Sequence, residues 1–130
     1  EESKLRNWGA IGIVGVDFDS PWHHWGWKSK APCLATTLDE CCIIINKKNN
    51  IWFDEKNCNN WHAYGVDFCL QARDKGLDVY IMNGPGFHDD TEKTYSLPKD
   101  FLVNLEHYKK VLRKKWGDKF PQLHTTTGAF

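Results

Sequence analysis

The chain has 130 residues, the length of one domain with a modest core. Its 17 Lys and Arg equal its 17 Asp and Glu, which removes any net-charge argument for nucleic acid and leaves membranes or polyanions to a local patch. Seven Trp, seven Phe and four Tyr beside 26% charged residues exclude a disordered chain and ask for burial or a ligand.

Residues 9–16, GAIGIVGV, read as a buried strand whose glycines admit close approach by another backbone or a ligand. Residues 20–32, SPWHHWGWKSKAP, carry a proline near each end and no period, and read as an aromatic-rich loop. LDECCIII at 38–45 reads as a second strand turning at NKKNN, and IWFDE at 51–55 as a short extended piece. Residues 62–75 have helical spacing, with Tyr64, Phe68 and Ala72 on one line and Lys75-Gly76 as the stop.

Strand LDVYIMN and a turn at NGPG (83–86) follow. From Pro98 to Trp116 the stripe Phe101, Leu105, Tyr108, Leu112 and Trp116 predicts an amphipathic helix, with Gly117 beyond it. The tail FPQLHTTTGAF reads as irregular. The order predicts a single α/β domain over 1–130, an open sheet of few strands flanked by two main helices.

Five cysteines without a CxxC pair argue against a disulfide framework and against structural zinc, and suit small buried hydrophobes. A reduced, cytoplasmic setting follows, and since no apolar run is long enough to span a bilayer, membrane association would be peripheral. The chain opens without Met and contains Met only at position 82, as an excised piece would. Lys109, Lys110, Arg113, Lys114, Lys115 and Lys119 form a basic end on the last helix, read as a solvated face suiting the helix C-terminus, with an anionic acceptor or lipid headgroup as the alternative.

Asp67 stands between Val66 and Phe68 on the first turn of its helix. A carboxylate held there can serve as a general base, or simply complement the helix dipole. His88, after a strand and turn beside Asp89 and Asp90, suits Mn²⁺ or Mg²⁺ near a phosphate. Asp17-Phe18-Asp19 offers a weaker metal pair at a strand end. Trp22, Trp25 and Trp27 offer flat platforms for sugar rings, or a small core under their loop.

Taken in order, LDECCIIINKK, IWFDE and WHAYGVDFCLQARDKGLDVYIMNGPGFH resemble the second, acceptor-side half of family 2 glycosyltransferases of the GT-A fold, over roughly residues 9–90. The resemblance implies an inverting transfer of a sugar from a nucleotide sugar to an acceptor hydroxyl. Asp67 would be the base, and a divalent metal held in part by His88 would neutralise the leaving diphosphate. Asp39, Trp61, His62 and Tyr64 would line the acceptor side, joined by Trp22, Trp25 and Trp27. Two departures stand out: Val66 occupies a position where family members often carry a second acid, and the donor-binding half that normally precedes this region is missing.

The expected partners are therefore a nucleotide sugar, a carbohydrate or glycoconjugate acceptor and a separate donor-binding domain, with no nucleic acid. The isolated chain is expected to be inactive alone. A non-catalytic carbohydrate-binding or scaffold domain built on the same half-fold is the competing reading. An uncovered strand at 9–16 and an uncovered side of the Asp67 helix would lead to homo-oligomers through residues 11–16.

Overall fold

The computed structural model describes residues 5, 7–18, 23–25 (backbone), 32–59, 63–84 and 99–129. The fold is mixed α/β. Strands β1 (Trp8–Gly12), β2 (Val14–Asp17), β3 (His23–Trp25), β4 (Cys33–Leu38) and β5 (Ile43–Ile45) precede helix α1 (Tyr64–Asp74). Strand β6 (Asp78–Ile81), helix α2 (Phe101–Trp116) and the short strands β7 (His124–Thr125) and β8 (Gly128–Ala129) complete it. Six strands form one sheet in the order β3-β2-β4-β6-β1-β5, with β7-β8 as a separate hairpin.

The predicted strand at 9–16 is two strands separated at Ile13. The first half pairs antiparallel with β5 and parallel with β6; the second pairs antiparallel with β3 and β4. Its glycines are there because neighbours come close. A Cβ on Gly9 would stand 2.7 Å from Ala72 Cβ on α1, and one on Gly15 2.5 Å from the Thr37 carbonyl oxygen. The expected uncovered strand is not found. Ile11, Val14 and Val16 are buried, since both halves lie between neighbouring strands.

The 38–45 run is not one strand. Leu38 closes β4, residues 39–42 turn, and β5 begins at Ile43 on the far edge of the sheet; the Asp39 side chain caps this turn by accepting from the Cys41 amide at 3.0 Å. The aromatic loop contains strand β3, and the tail predicted as irregular forms the β7-β8 hairpin. Thr37 Oγ1 donates to the His124 carbonyl at 2.9 Å and ties that hairpin to β4.

Helix α1 lies in the middle of the molecule. Phe68, Cys69 and Ala72 pack on the sheet with Ala10, Leu38, Val79 and Ile81. Val66 and Leu70 pack in a second core with Tyr108, Leu112, Trp116 and Leu123. Thus α2 covers α1, where flanking of the sheet by both helices was expected and an uncovered side of α1 was feared. Lys75 closes α1 and Gly76 follows at φ 71, the left-handed stop the sequence announces. Among the described residues no helix is long and apolar enough to cross a membrane.

Candidate functional site

Asp67 is fully buried, and side-chain donors occupy both of its oxygens. Trp116 Nε1 donates to Oδ1 at 2.7 Å, Gln71 Nε2 to Oδ2 at 2.8 Å, and Lys115 Nζ lies 2.9 Å from Oδ1 and 3.1 Å from Oδ2. The same ammonium reaches Asp54 Oδ2 at 2.6 Å. Asp54 in turn accepts from the Asn57 amide and side chain at 3.1 and 2.8 Å. Lys115 and Asn57 together hold the Asp54 carboxyl well below the usual carboxylate range, and Asp54 and Asp67 raise Lys115 above its ordinary value despite partial desolvation.

Asp67 therefore joins α1, α2 and the 52–57 turn. A carboxylate enclosed by three donors is built to fix helices, and nothing about it is left open to an incoming hydroxyl.

A second carboxylate meets the same helix at its first turn. The residue before α1, Ala63, is left-handed at φ 64 and gives no side-chain cap. The missing acceptor comes from Glu40, just past the end of β4, whose Oε1 accepts from the Gly65 amide at 3.2 Å. Gly65 permits this approach, because a Cβ there would stand 3.0 Å from Glu40 Cγ and 2.6 Å from Ile43 Cδ1.

Among the described residues Glu40 has no cation beside it. Burial first, then the charge of Asp39, pushes its carboxyl up to about 7, against the lowering pull of backbone amides at the helix start.

Around Glu40 stand two residues that the sequence reading selected. Asp39 accepts from Thr126 Oγ1 at 2.8 Å. Tyr64 packs edge-on against Phe53 at 5.6 Å between ring centroids, and its hydroxyl is raised by burial and by Glu40 and Asp39. Cys41 has its thiol pushed up to about 12, chiefly by desolvation and then by Asp39, so it offers little thiolate near neutrality.

All five cysteines are free, with Cys58 and Cys69 buried as expected and Cys41 exposed. Of the remaining candidates, Trp22, Trp27, Trp61, His62 and His88 lie outside the described residues, as does Asp19, and of Trp25 only the backbone in β3 is described. Among the described residues no three of His, Cys, Asp or Glu gather as a metal ion would need.

Glu40 escaped the sequence reading. Its signal was the acid pair closing β4 combined with a helix start that carries no Ser, Thr, Asp or Asn to cap it.

No family model matches the chain. It is similar to a protein of Fuscovulum blasticum described as "ATP synthase subunits region ORF 6", with 29% identity over 56 residues. The match covers 43% of this chain and 22% of that relative, so the chain spans well under two thirds of the relative's length.

Proposed function

We propose that the chain is the acceptor-side portion of an inverting glycosyltransferase of the GT-A type, with Glu40 rather than Asp67 as the proton acceptor. The observation that carries this reading is Glu40 itself: a half-buried carboxyl with no cation beside it among the described residues, next to Asp39 and Tyr64, with its pKa at about 7. That is the value a general base needs at neutral pH.

In the proposed step an acceptor hydroxyl oxygen attacks the anomeric carbon of a nucleotide sugar. The bond from that carbon to the diphosphate oxygen breaks, the diphosphate leaves with the electron pair, and Glu40 takes the hydroxyl proton. Asp39 and Tyr64 orient the acceptor, and Asp67 holds α1 so that Tyr64 and Gly65 face Glu40. A divalent metal with His88 among its ligands belongs to the donor side of this reading, and no step of the acceptor chemistry runs through it.

Titration of the chain with a panel of acceptor sugars, followed by amide NMR, tests the reading. Shifts are expected at Asp39, Glu40, Tyr64 and Gly65; shifts confined to other surfaces, or none with any sugar, would overturn it. The sealed state of Asp67 favours a second reading, a sugar-binding module without turnover. Under that reading Glu40→Gln would leave sugar affinity intact and there would be no transfer to lose, even with a donor-binding domain supplied.

A further inference from the structure

We propose that the solvent face of α2 docks on an anionic lipid bilayer. The inward face of α2 is fixed by its buried stripe, Leu105, Tyr108, Leu112 and Trp116. Opposite that stripe, Val103, Lys110 and Lys114 fall at i, i+7 and i+11 and form one line; Leu102 and Arg113, at i and i+11, form a second line about a quarter turn around the helix, between the first and the buried stripe. The two lines are apolar at the start of the helix and cationic about 10 to 16 Å further along.

Two observations separate this face from an ordinary solvated one. Lys110, Arg113 and Lys114 are exposed and make no ion pair or side-chain hydrogen bond among the described residues. By contrast, Lys109 pairs with Glu106, Lys115 with Asp54 and Asp67, and Lys119 with Asp74. Of the acids along the helix, Glu106 is engaged by Lys109 and Asp100 by the Asn104 side chain at 2.8 Å, while exposed Asp118, four residues past Lys114, bonds to none of the three cations.

The second observation is the apolar pair. Leu102 and Val103 are 68% and 72% exposed, the most exposed large hydrophobics among the described residues.

Three uncommitted cations complement a negative surface, and an adjacent Leu-Val pair complements acyl chains. A polynucleotide would meet the cations and the exposed His107 ring of this face, and would leave Leu102 and Val103 with nothing to bury against. The charge complementarity and the apolar tip together select a bilayer. The chain's zero net charge makes this local patch the source of any attraction, so binding should fall steeply with salt.

Sedimentation of the chain with vesicles tests the proposal, using phosphatidylcholine alone or mixed with phosphatidylglycerol. Partition into the mixed vesicles is expected to exceed that into phosphatidylcholine at least tenfold at low salt. Reversing the three charges (Lys110→Glu, Arg113→Glu, Lys114→Glu) should abolish that preference. The pair Leu102→Ser and Val103→Ser should lower partition several-fold while leaving its salt dependence in place.

All five positions are exposed, and circular dichroism melts confirm that the variants fold. No preference for anionic vesicles, an unchanged triple variant, an unchanged serine pair, or tighter binding to duplex RNA than to vesicles would each overturn the proposal.

Discussion

A buried carboxylate, Asp67, and a half-buried one, Glu40, meet α1 within a turn of its start, and they are managed in opposite ways. Asp67 is surrounded by an ammonium, an indole N–H and an amide; Glu40 has backbone amides and a neighbouring negative charge. Burial alone does not decide the fate of an acid. The available donors do, and here they divide one helix between a clamp and a group that can take up a proton near neutrality.

The largest expected effect comes from breaking the clamp. Lys115→Met leaves the Asp67 charge buried with its cation gone, and should cost about 3–5 kcal/mol in urea unfolding. The same change made in an Asp67→Asn background should cost much less, a coupling that a double-mutant cycle reads directly.

Glu40 sharpens the comparison through pH. Its folded pKa, about 7, lies above its ordinary value of 4.5, so the folded state binds the proton more tightly and stability declines as pH rises between those values. Glu40→Gln removes that decline. Its advantage in thermal or urea unfolding should grow from nothing near pH 4 to about 3 kcal/mol at pH 8.

The clamp has the opposite acid slope. The pKa of Asp54 is depressed and that of Lys115 raised. Its contribution is therefore lost as pH falls below the usual carboxylate range, and again as pH climbs past the ordinary lysine value, with little change between.

The smallest effect lies at the junction of the two. Ala63 holds a left-handed conformation at φ 64, which costs a residue with a Cβ about 1 kcal/mol. Ala63→Gly should recover about that amount in the unfolding free energy, unless the added freedom of the unfolded chain offsets it. A loss of stability would mean that the Ala63 methyl, packed with Val66 and Tyr108 in the second core, outweighs the backbone strain.

Both helices were legible in the sequence because each carries a strong local signal. For α1 this is the Tyr64, Phe68, Ala72 line with its Lys75-Gly76 stop; for α2 it is a stripe of five large residues. The glycines of the first strand correctly announced close approach. Less legible was whatever depends on distant partners.

The break at Ile13 reflects which strands flank each half. The 39–42 turn lacks Gly and Pro, and is made instead by the Asp39 side chain bonding its own backbone. That α2 would stack on α1 could not be read locally, because α1 is apolar on both sides and its periodicity does not say which side meets the sheet. The same gap hid the settings of the two acids. Asp67 was conspicuous for its apolar neighbours in sequence, yet its partners Lys115 and Trp116 come from another helix, while Glu40 became noticeable only beside a helix start that it caps from β4.

The hairpin at 124–129 gives the molecule an order of assembly. Thr37 bonds to His124, and Asp39 to Thr126, each across 87 positions of sequence. The end of β4, and with it the setting of Glu40, thus lacks these two bonds until the last tenth of this segment has left the ribosome. A nascent chain that has already made its sheet and α1 would still hold Asp39 without its hydroxyl partner, so the acidic end of the domain becomes complete last, whatever the order in which the cores close.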